Sequence, residues 1–233
     1  MSSIAQVSRR EFLGTTAAAG GALMVGFVMP GWAANPGTKT MLPNSWVVVG
    51  SDNSITILCA RSEMGQGVFT AMPMLIAEEL GVDIAKIRIE MAPPGEPYIN
   101  EMIGGQLTGG STSVREAYSK LRVAGAQARS VLLEAAAQKW NVKADACRAE
   151  NAMVLGPGGK KATYGELAEA ASKLTPPKTP ALKSPKDFRY VGKEIKRFDT
   201  PAKVNGTAEF GIDVKLPGMG IAVLAQCPAR GGK

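Results

Sequence analysis

The hydrophobic period of the chain switches twice between Trp46 and Met91, and no other feature constrains the fold as tightly. Trp46-Val47-Val48-Val49 and Ser54-Ile55-Thr56-Ile57-Leu58-Cys59 flank Asp52-Asn53, the pattern of a β-hairpin with a short polar turn. After a Gly65-Gln66-Gly67 turn, apolar residues fall at Val68, Met72, Leu75, Ile76 and Leu80, a spacing that lines one face of a helix over 68–80. Gly81 is its stop signal, because glycine enters the left-handed conformation at a helix end without a Cβ penalty. Ile87, Ile89 and Met91 then alternate with Arg88 and Glu90, which is strand periodicity again. Strand, helix and strand in one stretch point to an α+β fold with a mixed α/β domain.

Downstream, Pro93 to Ser113 is a long loop rich in Gly and Pro, a length that within a compact domain usually carries function. A long helix is expected from about Ser113 to Trp140, with Val114, Tyr118, Leu121, Ala128, Leu132 and Ala135 on its apolar face. The stretch from Cys147 reads as a small hairpin turning at Gly156–Gly159, then a short helix whose Thr163 and Glu166 have capping-box spacing. The prolines within 175–188 predict a linker. Beyond it the chain reads as strands and turns, and Ile221 to Ala225 suits a buried strand, although the chain stops before a pairing strand follows. Four segments are expected: an N-terminal signal over 1–34, an α/β segment over 42–174, the linker over 175–188 and a second domain over 189–233.

What the chain lacks narrows its chemistry. It has 233 residues and no histidine, so Ser-His-Asp and Cys-His catalysis, His-based zinc sites and c-type haem attachment are all excluded within it. Its three cysteines, Cys59, Cys147 and Cys227, form no CxxC pair, which argues against an iron–sulfur cluster on this chain. Cys59, in an apolar run, reads as a buried hydrophobe. The net charge of +7 comes without basic runs interleaved with aromatics, so a nucleic-acid partner is not expected.

Ser8-Arg9-Arg10-Glu11-Phe12-Leu13, followed by an Ala/Gly-rich apolar stretch and small residues near Ala33 and Ala34, resembles a twin-arginine export signal. The competing reading is a retained membrane anchor, which the glycine-broken, weakly hydrophobic stretch disfavours. The signal implies a periplasmic protein exported folded, a route used by many enzymes that take up a cofactor before export; membrane association stays open.

Two loops carry the site prediction. Gly65-Gln66-Gly67 and Thr108-Gly109-Gly110-Ser111-Thr112-Ser113 each place small residues directly before a helix. A helix N-terminus offers unpaired N–H groups and the positive end of the macrodipole. Glycine lets a ligand approach the backbone, and Ser, Thr and Gln66 add polar partners. Neither loop is a Walker motif, and Thr70 stands where a dinucleotide fingerprint needs its third glycine. Each alone fits a plain turn and cap; together they favour an extended polar ligand that carries phosphate.

The residues "SEMGQGVFTAMPMLIAEELGVDIAKIRIEMAP" and "TGGSTSVREAY" resemble the molybdenum-cofactor domain of the xanthine dehydrogenase and aldehyde oxidase family. "DTPAKVNGTAEFGIDVKLPGM" is similar to the start of that family's a/b hammerhead domain. The order, with the Gly-Gln-Gly segment ahead of the hammerhead and behind an export signal, resembles the isoquinoline 1-oxidoreductase beta-subunit type. The resemblance implies a molybdopterin cytosine dinucleotide and oxidation of aldehydes or N-heterocycles with water as the oxygen source. It also implies electron transfer to [2Fe-2S] clusters on a small iron–sulfur subunit and, in some members, onward to a c-type cytochrome. By position, Gly65, Gln66 and Gly67 would contact the pterin, and Thr108 to Ser113 the phosphate and nucleotide end.

Large subunits of the family are considerably longer, and their general-base glutamate lies in a Gly-Glu motif that has no counterpart here. No catalytic residue or metal ligand is therefore assigned; Glu63 reads as a loop-orienting group. The resemblance implies an N-terminal part of a large subunit, inactive without the remainder. The alternative is a non-catalytic cofactor- or partner-binding piece, truncated or split.

Overall fold

The computed structural model describes residues 40–232; the expected export signal over 1–34 lies outside them. Residues up to Phe198 form one compact unit and those from Asp199 another.

In the first unit, β1 (Thr40–Asn44), β2 (Val47–Gly50), β3 (Ile55–Cys59) and β4 (Arg88–Met91) form a sheet in that order. The first three run antiparallel, with Val47 opposite Ile57 and Val49 opposite Ile55. The β2–β3 turn is closed by Asp52, which accepts from Ser54 N at 3.0 Å and Ser54 Oγ at 2.6 Å. Those bonds, the side-chain one foremost, hold the Asp52 carboxyl below its usual range. β4 joins β3 in parallel, Ile57 opposite Ile89, after a crossover through helix α1 (Val68–Leu80). The predicted face of α1, Val68, Met72, Leu75, Ile76 and Leu80, is buried, and Gly81 ends the helix at φ +73° with its N–H on Ala77 O.

Helix α2 (Ser113–Trp140) lies across α1. Leu121, Ala128, Leu132 and Ala135 are buried as expected, with Ala117, Ala124 and Val131 beside them. Val114 and Tyr118 are not: both are exposed, and near the helix start it is the small Ala117 between them that faces the core. The small residues allow close approach, and a Cβ built on Gly125 would stand 2.6 Å from Ile76 O.

A meander of β5 (Arg148–Glu150), β6 (Met153–Leu155) and β7 (Lys161–Thr163) precedes helix α3 (Tyr164–Ala171). The β6–β7 hairpin matches the expectation. β5 carries no turn signal because its connection uses Asn151-Ala152, both at positive φ, in place of Asn-Gly. The capping box forms: Glu166 N donates to Thr163 Oγ1 and Thr163 N to Glu166 Oε2 at 2.7 Å. The latter bond foremost lowers the Glu166 pKa.

The stretch read as a linker, 175–188, runs on to Phe198 as a strap bonded to α1 and α2. Two wholly buried neighbours on α1, Glu78 and Glu79, hold it. Glu78 accepts from Arg189 N, Tyr190 N and Lys183 Nζ at 2.8, 2.7 and 3.0 Å. Burial raises the Glu78 pKa, but these donors outweigh it, and the net shift is downward. Glu79 accepts from Lys183 N and pairs with Arg122 and Arg129 of α2, whose guanidiniums also donate to Lys183 O and Ala181 O. Prolines here shape an extended segment while other residues' N–H groups and carbonyls are consumed by side chains.

The second unit holds α4 (Thr200–Asn205) and a single-turn segment at Gly211–Asp213. No strand occurs among its described residues. The strand expected at Ile221 to Ala225 does not form, and Ile221, Val223 and Leu224 stand exposed; a strand needs a neighbour for its N–H and C=O groups, and this unit supplies none.

Candidate cofactor-binding site

Both glycine loops sit at the end of the sheet where β3 leaves the core. Cys59 is buried, and burial pushes its thiol up to about 11, so it remains a protonated hydrophobe. Two residues on, Arg61 is also buried, a position for a cation that demands partners. It donates to Ala60 O and Tyr98 O at 2.9 and 2.8 Å and pairs with Glu116 of α2 at 3.0 Å, while its Nε has no partner. Glu116 also pairs with Lys120, which reaches Glu101 at 3.0 Å. Burial lowers the Lys120 pKa, but the two carboxylates overcome it and raise the pKa overall.

The Gly-Gln-Gly turn is organised from within. Gly65 and Gly67 stand at φ +100° and +88°, where a side chain would be strained. Glu63 Oε1 accepts from Gly65 N at 2.8 Å and Gly67 N at 3.0 Å, and its Oε2 accepts from Phe69 N at 3.0 Å. Glu63 therefore orients the loop, and its carboxylate occupies the α1 N-terminus that could have received an anion. Gln66 accepts from Met64 N and donates to Ser62 O, bracing the same turn.

The second loop is built around Asn100 and Thr112, both buried. Asn100 Nδ2 donates to Thr112 Oγ1 at 2.6 Å, and Thr112 Oγ1 donates to Gly109 O at 2.8 Å. Gln106 ties the loop's neck by donating to Pro93 O and accepting from Gly95 N, both at 3.1 Å. With its hydroxyl so engaged, Thr112 does not cap α2, and no side chain does so from the N-cap. Gly110 and Ser111, at φ +60° and +53°, lie exposed just before that helix start, and Ser113 is its first residue.

A hydrogen bond joins the two segments: Ser62 N donates to Thr108 Oγ1 at 2.8 Å. Of the predicted residues, Thr108 is thereby tied to the segment that enters the Gly65-Gln66-Gly67 turn, while Gly109, Gly110, Ser111, Thr112 and Ser113 follow it into α2. The helix starts differ, however: that of α1 is filled by Glu63, and that of α2 is open. Exposed Met64, Met102, Ile103, Leu107, Val114 and Tyr118, on these loops and the adjoining turns of α2, add apolar surface. Sequence reasoning missed Arg61, Asn100 and Gln106, whose roles depend on partners that no local pattern announces. Among the described residues no cluster of His, Cys, Asp or Glu could hold a metal ion. An open helix start, exposed small residues and a Gly65 with free space where a Cβ would go suit the extended polar ligand expected from the sequence.

Fold and loops together define a mixed α/β domain with two glycine-rich loops tied to each other at Ser62 and Thr108. The chain belongs to the molybdopterin cofactor-binding domain family, whose sequence profile matches residues 9–214. It is 34% identical over 85% of its length to the beta chain of isoquinoline 1-oxidoreductase from Brevundimonas diminuta. It is also 34% identical over 92% of its length to a membrane-bound aldehyde dehydrogenase of Gluconacetobacter polyoxogenes, whose name includes pyrroloquinoline quinone. A nicotinate dehydrogenase component of Pseudomonas putida is 26% identical over 75% of the chain. The chain spans only 30, 29 and 14% of these relatives. Among solved structures, the Cu,Mo-CO dehydrogenase matches 58% of this chain and 17% of its own at 26% identity and a TM-score of 0.42.

Proposed function

We propose that this chain is the N-terminal, cofactor-holding part of the large subunit of a periplasmic molybdenum hydroxylase. When bound, a molybdopterin cytosine dinucleotide supplies two-electron oxidation of an aldehyde or N-heterocycle carbon with water as the oxygen source. The chain's own residues bind and orient it. Gly65 and Gly67 present backbone to the pterin, with Gln66 bracing the turn. Glu63 already fills the α1 helix start, so the anionic end of the ligand belongs at α2. There the first-turn N–H groups and the Thr108, Ser111 and Ser113 hydroxyls donate to phosphate.

The observation that supports this reading is the Ser62–Thr108 bond, which ties the segment entering the Gly-Gln-Gly turn to the loop that leads into an uncapped helix start, both within the family's matched span. The exposed apolar side chains at the site suit cover by the remainder of the large subunit. We assign electron acceptance to a small [2Fe-2S] subunit, in some relatives followed by a c-type cytochrome, and residues beyond the strap to the start of a hammerhead domain. Export by the twin-arginine route rests on the Ser8–Leu13 motif.

One relative's name favours a second reading, in which the cofactor is pyrroloquinoline quinone. Acid denaturation of the native assembly separates the two. The proposal predicts molybdenum in the metal analysis and cytidine monophosphate among the released small molecules. Release of the quinone with no molybdenum would replace it.

A further inference from the structure

The Gly-Gln-Gly turn has a partner far along the chain. The strap 175–198 is fixed to α1 and α2 by Glu78 and Glu79, and its final residues return to the loop. Arg197 Nη1 donates to Gly65 O at 2.7 Å, and Nη2 contacts Glu63 Oε1 at 3.2 Å. Beside it, Phe198 N donates to Thr70 Oγ1 at 3.2 Å in the first turn of α1. A Cβ built on Gly67 would lie 3.9 Å from the guanidinium, so Arg197 flanks the whole turn.

One side chain therefore fixes both a carbonyl of the turn and the carboxylate that gathers two amides of the turn and one of the first turn of α1. A turn built on Gly65 and Gly67 has much conformational freedom to lose, so it needs such external restraint. The planar, two-point geometry is specific to arginine; lysine would supply the charge without the fork. We propose that Arg197 is a positioning residue that latches the Gly-Gln-Gly loop in the conformation that retains the cofactor. The loop's competence then depends on a strap residue 132 positions from Gly65 in sequence. The latch itself stands on geometry alone; its effect on cofactor retention rests on the cofactor assignment above.

The test uses the native assembly carrying Arg197→Ala or Arg197→Lys, followed by hydrogen exchange of peptides covering 62–70. Arg197→Ala is expected to speed exchange at Gly65, Gly67 and Phe69 by about tenfold, leaving the interior of α2 and the denaturation midpoint unchanged. Arg197→Lys should fall between it and wild type. Molybdenum retained through gel filtration should drop by about tenfold in Arg197→Ala, the scale of losing a supporting contact around a metal site. Unchanged exchange in the loop overturns the latch; a loosened loop with full molybdenum retention overturns its link to the cofactor. Absence of molybdenum from wild type refutes the cofactor assignment instead, and the exchange result still decides the latch.

Discussion

Replacing Glu79 by alanine is expected to cost on the order of 3–5 kcal/mol, the range for removing one partner of a buried ion pair. Against a total stability of roughly 5–15 kcal/mol, that leaves the first unit marginal or unfolded. Glu79 is wholly buried and accepts from Arg122 Nε and Nη2 at 2.9 and 2.7 Å, from Arg129 Nη1 at 3.2 Å and from Lys183 N at 2.9 Å. Alanine strands two guanidiniums whose side chains are only 11% and 14% exposed, and it releases the strap from α1. Glu79→Gln keeps one acceptor oxygen and should cost less, roughly 1–3 kcal/mol, the scale of unsatisfied buried polar groups. The exposed pair Lys173–Glu169 is the control, expected to change stability by less than about 1 kcal/mol when broken. Urea denaturation of the three variants measures the order. Equal effects for Glu79→Ala and the surface pair would contradict the role given to the strap.

Gly125→Val is expected to destabilise by about 2–3 kcal/mol, in the upper part of the range for overpacking a filled interior. The new Cβ would meet Ile76 O at 2.6 Å, Glu79 Cβ at 3.0 Å and Ile76 Cα at 3.1 Å. Two of those atoms are backbone of α1 and cannot swing aside, so the helices must separate. Leaving glycine gains helix propensity, but for valine that gain is only a few tenths of a kcal/mol and loses to the clash. Alanine makes the sharper test, because at an exposed helical position Gly→Ala would stabilise by about 1 kcal/mol. A thermal melt should show Gly125→Ala below wild type. A rise in Tm would mean that α1 and α2 are not packed through this glycine.

Features written in short-range chemistry were legible in the sequence: the Asp52-Asn53 turn, the α1 face closed by Gly81, and the Thr163–Glu166 box each depend on residues a few positions apart. Long-range partnerships were not. The roles of Glu78 and Glu79 carry no local signal, because their partners in the strap lie more than 100 residues on. The prolines of 175–188 read as a linker and could not reveal that Arg122, Arg129 and two carboxylates bind the stretch down. Val114 and Tyr118 have helical spacing, but near the start of α2 the face turned to the core carries Ala117 instead. At the site, the two glycine loops were visible as motifs, but their inequality was not. Which helix start is already filled depends on where the Glu63 carboxylate turns, and which one is open depends on Asn100 drawing Thr112 away from the cap.

The central claim is that this pair of loops holds a molybdenum cofactor, and the molybdenum-to-protein ratio of loop variants in the native assembly tests it most directly. Gln66→Ala removes the brace on Met64 N and Ser62 O, and Gly67→Val forces a β-branched residue to φ +88°. Both variants are expected to fold and to retain about 10–100-fold less molybdenum than wild type, the scale of losing a supporting contact around a metal site. Folded variants with the wild-type molybdenum content would contradict the assignment.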